Sequence, residues 1–146
     1  VIVPDEPEGV LFALGDWNSG YALFVTDRRA HLAMVVGGTA LELAAPEPLR
    51  PGHATIGFTA TPGPDGTRLG LQVDGATVAT ATTPYALPYA WQHGGTHLRL
   101  GHDTGFPVTD TYTPPHPWNG ELIDVVVDAS PAGPRPEDVA DALHAE

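Results

Sequence analysis

Leu69-Gly70-Leu71-Gln72-Val73-Asp74-Gly75-Ala76-Thr77-Val78-Ala79-Thr80-Ala81-Thr82 decides the fold class of this chain. Leu69, Leu71 and Val73 alternate with Gly70 and Gln72, the period of two that places one face of a strand toward a core. Asp74-Gly75 follows at once, and a type I′ turn needs the positive φ that this pair tolerates. Ala76 to Thr82 then reads as the returning strand, with Val78 as its main apolar contact.

Working outward, Ala54, Ile56, Phe58 and Ala60 alternate with His53, Thr55, Gly57 and Thr59 as a half-buried strand, and Pro62 to Gly66 reads as the loop before Leu69. Upstream, Pro46, Pro48 and Pro51 interrupt regular structure. Before them lies a meander: Gly9 to Gly15, a turn at Asp16 to Gly20, Tyr21 to Thr26, a turn at Asp27 to Arg29, Ala30 to Val36, the Gly37-Gly38 stop, and Thr39 to Leu43. Downstream, Pro84 and Pro88 flank Tyr85-Ala86-Leu87, and Tyr89-Ala90-Trp91 leads into His93-Gly94-Gly95. Glu121 to Asp128, with Ile123, Val125 and Val127 in alternation, carries the strongest strand signal in the chain. Glu137 to Ala145 is alanine-rich, with Val139, Ala142 and Leu143 near helical spacing. About ten short strands with frequent turns predict an all-β fold, an antiparallel two-sheet sandwich of the jelly-roll type, which the prolines and uneven loop lengths fit better than the alternative of a closed barrel. Residues 1–130 form the sandwich, and residues 131–146 a linker with a short C-terminal helix.

The totals agree. With 146 residues the chain has room for one domain. Its 17 glycines and 16 prolines are the punctuation of a turn-rich protein. Six arginines and no lysine stand against 18 acidic residues, a formal charge of −12, so nucleic acid and anionic membrane are excluded as expected partners. There is no cysteine, hence no disulfide framework and no thiol chemistry, and the compartment is left open. No apolar run approaches the roughly 20 residues of a membrane span, and no signal peptide leads the chain. Val1-Ile2-Val3 already looks like strand, so the chain reads as a piece of a longer protein.

The most distinctive polar text is the loop between Leu98 and Glu121. Asp103, Thr104, Asp110, Tyr112 and Trp118 are its candidate interface or ligand residues. Asp103 and Asp110, with the Thr104 hydroxyl and loop carbonyls, are the only candidate calcium ligands, and against them stands the ordinary use of Asp as a cap for its own turn, which is preferred. No cofactor is otherwise expected. The seven histidines lack the paired spacing of a zinc site: His93 and His97 lie across a Gly-Gly turn, and His102 and His116 bracket the loop as solvated residues. Ser19 and Ser130 are the only serines, and neither lies in a Gly-x-Ser-x-Gly elbow. Glu121 and Asp124 fall on opposite faces of a strand, and Asp124 and Asp128 share an ordinary mixed face, so a glycosidase pair is not indicated. Trp17, Trp91, Trp118, Tyr85, Tyr89 and Tyr112 are the side chains able to stack on sugar rings.

Several blocks in collinear order resemble the C-terminal region of bacterial arylsulfatases. They are Gly9-Val-Leu-Phe-Ala-Leu-Gly15, Gly20-Tyr-Ala-Leu-Phe-Val25, Leu71-Gln-Val-Asp-Gly75, Gly101-His-Asp-Thr-Gly-Phe-Pro-Val108 with Tyr112, and Trp118-Asn-Gly-Glu-Leu-Ile123. The resemblance spans nearly the whole chain apart from the tail beyond Pro131, and the Gly101 loop is its most specific part. It implies a concanavalin-A-like or laminin-G-like sandwich without catalytic residues. The family's chemistry lies in a separate upstream domain, where a Cys/Ser-x-Pro-x-Arg motif matures to formylglycine beside a bound calcium. Here Ser130-Pro131-Ala132-Gly133-Pro134-Arg135 has the wrong spacing for that motif. The implied role is a non-catalytic accessory domain whose partner is the sulfatase catalytic domain of the parent chain; a carbohydrate-binding, lectin-like module is the alternative.

Overall fold

A computed structural model describes residues 1–85 and 98–128 of the chain. The described residues form ten strands and no helix: β1 (Ile2–Val3), β2 (Gly9–Gly15), β3 (Ser19–Thr26), β4 (Arg29–Val36), β5 (Thr39–Ala44), β6 (Gly52–His53), β7 (Ile56–Gly63), β8 (Gly66–Val73), β9 (Ala76–Thr83) and β10 (Arg99–Leu100). All ladders between them are antiparallel. The anticipated C-terminal helix, and Tyr89, Trp91, His93 and His97, lie outside the described residues.

One sheet runs in the order β10-β2-β3-β4-β5, a second in the order β7-β8-β9, and β1 pairs with β6. β4 and β5 pack over β8 and β9, so the protein is an all-β antiparallel sandwich. β10 returns over a long connection to lie beside β2, the move by which a Greek key closes. Phe12, Tyr21 and Phe58 tie the two sheets together, with ring centroids 5.6–5.9 Å apart. Around them the inter-sheet core gathers Leu23, Val25, Leu32, Met34, Leu69 and Leu71. A bulge between Val10 and Phe12 turns the neighbours Leu11 and Phe12 to this same side.

The five-stranded sheet is buried on its other face as well. Val10, Ala13, Ala22, Phe24, Ala33 and Val35 form a second cluster there, completed by Val108 and Tyr112 of the loop that follows β10. This explains why β3 and β4 carry unbroken buried runs where a strand exposed on one face would alternate.

Two local expectations are corrected. Pro62 to Gly66 is not an open loop: Pro62 pairs with Thr67 and Gly63 with Gly66, leaving Pro64 and Asp65 as a two-residue turn. Pro62 is tolerated because β7 is an edge strand, where a missing N–H breaks no ladder bond. Glu121–Asp128 is not a strand. Only Glu121 is paired, with Ile2, and Ile123, Val126 and Val127 are exposed.

Candidate functional site

The loop between β10 and Glu121 is built as two limbs bonded to each other. Gly101 N–H donates to Leu11 O at 3.0 Å, continuing β10 against β2, and Gly101 O accepts from Trp118 N–H at 2.9 Å. Asp103 N–H meets Pro115 O at 3.0 Å, and Val10 N–H meets His116 O at 2.8 Å. The returning limb thereby lies along β2. A Cβ at Gly9 would fall 2.2 Å from Pro117 O, so the close approach demands glycine.

Between the limbs Asp103 is wholly buried. Its Oδ2 accepts the Tyr112 hydroxyl at 2.6 Å and its Oδ1 accepts the Thr104 N–H at 2.7 Å. Both carboxylate oxygens are thus engaged by the loop itself. Tyr112 is buried too, and its phenol is pushed far above the ordinary range, first by burial and then by its bond to Asp103. The phenol is held as a neutral donor. Beneath it, Ala13, Ala22 and Ala33 leave room for the aromatic ring.

Four rings run in one column across the sheet. His31 stacks on Phe24 with centroids 5.1 Å apart, Phe24 meets Tyr112 at 4.9 Å, and Tyr112 stacks on His116 at 5.5 Å. At one end His116 Nε2 lies 3.3 Å from Val25 O and 3.6 Å from a Glu8 carboxylate oxygen. At the other, His31 Nδ1 lies 3.0 Å from Glu42 Oε1, while Glu42 Oε2 accepts the Thr109 hydroxyl at 3.2 Å and that of Thr111 at 2.8 Å. The His31 bond, with those of Thr111 and Thr109, holds the Glu42 carboxyl below the usual range against the opposing effect of partial burial. Glu42 therefore fastens the loop to β5.

The anticipated site residues scatter accordingly. Asp103 and Tyr112 come together as an internal brace; Trp118 is buried; Thr104 and Asp110 are exposed. Both Asp103 carboxylate oxygens already accept a hydrogen bond from within the loop, and among the described residues no three acidic, His or Cys side chains gather in one place. His116, read as a solvated loop residue, is stacked and half-buried instead. Sequence reasoning passed over His31 and Glu42. The β4–β5 register, which sets Ala33 opposite Glu42 and His31 opposite Ala44, makes them diagonal neighbours once the Gly37-Gly38 turn is fixed.

Beside the loop opens a cleft of about 590 Å³ lined by Trp17, Gly38, Ala40, Thr109, Asp110 and Thr111 among others. Trp17 is 60% exposed there. Its position is set by Asp16, whose Oδ1 accepts the Asn18 N–H at 2.9 Å and so holds the β2–β3 turn. No helix among the described residues is long and apolar enough to cross a membrane. No family model matches the chain, and comparison with curated proteins and with solved structures found no match either.

Proposed function

We propose that this chain is a non-catalytic accessory domain of an arylsulfatase, a sandwich that packs on the catalytic domain and supports it or its substrate entrance. The observation that carries the reading is the use to which the most specific motif is put. In Gly101 to Tyr112 the one buried carboxylate is engaged on both oxygens, and the one buried phenol is a locked donor. Such a loop has the makings of a shaped, stiff surface, because its buried carboxylate and its buried phenol are spent on bracing the loop itself. The collinear resemblance of five sequence blocks to the sulfatase C-terminal region supports the same reading.

The reading frame of the parent gene tests it first: an upstream Cys/Ser-x-Pro-x-Arg motif is expected, and a frame without one overturns the proposal. The second test is enzymatic. The isolated chain hydrolyses no sulfate ester, whereas deleting it from the parent lowers soluble yield or sulfate-ester turnover; unchanged yield and turnover would count against the role.

A carbohydrate-binding role is the second reading, favoured by Trp17. An exposed indole at a cleft also lined by Val35, Val108, Asp110 and two threonines offers a sugar ring both an apolar face and hydroxyl partners. Titrating neutral and sulfated oligosaccharides against Trp fluorescence, with and without calcium, tests it. A saturable change abolished by Trp17→Ala supports the cleft, and no change with any glycan removes it.

A further inference from the structure

β1 lies between two neighbours. Ile2 faces His53 on one side and Glu121 on the other. With Glu121 it exchanges two bonds, of 2.8 and 3.1 Å, and Val1 exchanges two with Ala54, its ammonium donating at 2.9 Å and its carbonyl accepting at 3.1 Å. Both pairings are antiparallel. Each step back beyond Val1 therefore advances one residue from Thr55 along β7 and one from Ile123 toward Asp128.

Among the described residues, neither run has a ladder partner on the side where β1 would continue. β7 is the edge strand of its sheet. Asp74 N–H bonds to Thr55 O at 2.7 Å, which turns Thr55 toward β8. By the alternation of an antiparallel ladder, Ile56, Phe58 and Ala60 then direct their N–H and C=O groups away from β8, into the gap. On the opposite bank Glu121 bonds toward β1, and drawn out as a strand from there, Ile123, Val125 and Val127 would turn their groups the same way. The Val125 N–H is held by the neighbouring Asp124 carboxylate at 2.8 Å, a local substitute for a strand partner. Pro62, without an N–H, marks the far end of the β7 edge.

The opposing sheet has a matching width. β5 and β4 lie over β9 and β8, and Phe12 and Tyr21 of β2 and β3 reach Phe58 of β7. One strand between β7 and Leu122–Asp128 would make a second layer of five beneath the first.

We propose that an antiparallel strand of about six residues, formed by polypeptide running directly into Val1, fills this gap and converts Leu122–Asp128 into the outer strand of the second sheet. Its pattern is fixed by β1. Val1 and Val3 contribute to the inter-sheet core, so the second and fourth residues before Val1 point inward beside Ile56 and Phe58 and are apolar. The first and third stand on the outer face beside Ile123 and Val125. The inference does not depend on the sulfatase reading, because any parent chain could supply the strand.

The probe is the present chain extended ahead of Val1 by Val-Thr-Ile-Thr-Val-Thr, which places valine and isoleucine inward. Two controls carry the same composition shifted by one residue, or proline at the second and fourth positions before Val1. Amide hydrogen exchange is the readout. The matched extension slows exchange at Ile56, Phe58, Ala60, Ile123 and Val127 by about a hundredfold or more and raises Tm by several degrees, and neither control does so. Exchange unchanged by the matched extension, or slowed equally by the proline control, overturns the proposal. So does protection of these amides in the unextended chain, which as a monomer would mean another internal segment in the gap and as a dimer a second copy.

Discussion

A carboxylate with no exposed surface, such as Asp103, is tolerated in a fold only while donors face its oxygens. Tyr112→Phe removes the 2.6 Å donor without changing the ring packing, and a loss of about 2 kcal/mol in urea unfolding is expected. The Tyr112 pKa is raised in the folded protein, so its contribution is complete below the ordinary phenol value of about 10 and is lost as pH rises beyond it. Wild-type protein accordingly shows an alkaline fall in stability that Tyr112→Phe flattens, and its Tyr112 phenolate absorbance appears only with unfolding. Glu42 has the opposite sign. Its carboxyl is lowered by His31, Thr111 and Thr109, so its contribution is complete above the ordinary carboxylate range and fades as pH falls through its lowered value. Glu42→Gln should reduce stability at neutral pH by about 1 kcal/mol and shallow the acid limb of a stability-against-pH curve. A Glu42→Gln curve parallel to wild type in acid would show that the Glu42 carboxyl is not held below its ordinary range by His31 and the two threonines.

Among the elements, the hairpins were the most legible part of the sequence because a turn type demands particular residues. Asp74 and Gly75 take φ of 50° and 80°, as their order requires, and Asp74 Oδ1 also accepts the Thr55 N–H at 2.8 Å. A Cβ at Gly75 meets nothing within 4 Å, whereas at Gly66, with φ of +121°, it would lie 1.9 Å from Thr83 O. Gly75→Ala should therefore cost about 1–2 kcal/mol, from backbone conformation alone. Gly66→Ala should leave little soluble folded protein; equal melting temperatures for the two variants would contradict this account. Glu121 to Asp128 shows where such reading stops. Its alternation reports that the segment suits a pleated surface, but a strand exists only where a neighbour supplies the other half of the ladder, and Ile2 supplies one residue of it. His31 and Glu42 were illegible for a related reason: each is unremarkable alone, and only the register makes them a pair.

For the molecule as a whole, an all-β antiparallel sandwich followed from composition and period, while the second core did not. Ala13, Ala22 and Ala33 look like weak strand residues in a linear reading. They are the floor on which Val108 and Tyr112 rest, and small side chains are what let the loop approach. The net charge of −12 bears on the same scale. Self-repulsion in the compact state is screened as the Debye length shortens to about 8 Å at physiological ionic strength. Tm should rise between low salt and 0.15 M sodium chloride, and a flat or falling Tm would show that local ion pairs outweigh the overall repulsion.

The covering of the outer face by a late loop has a further consequence, in time. β2 to β5 are joined by short turns and can assemble early in synthesis, but the groups that seal them come much later: Thr111 reaches back 69 residues to Glu42, and His116 reaches back 91 to Val25. Until those residues leave the ribosome, the nascent sheet shows a bare patch around Phe24 and Val35. Contacts so distant in sequence form slowly. Cover for that patch is complete only once Val108 and Tyr112 lie over it.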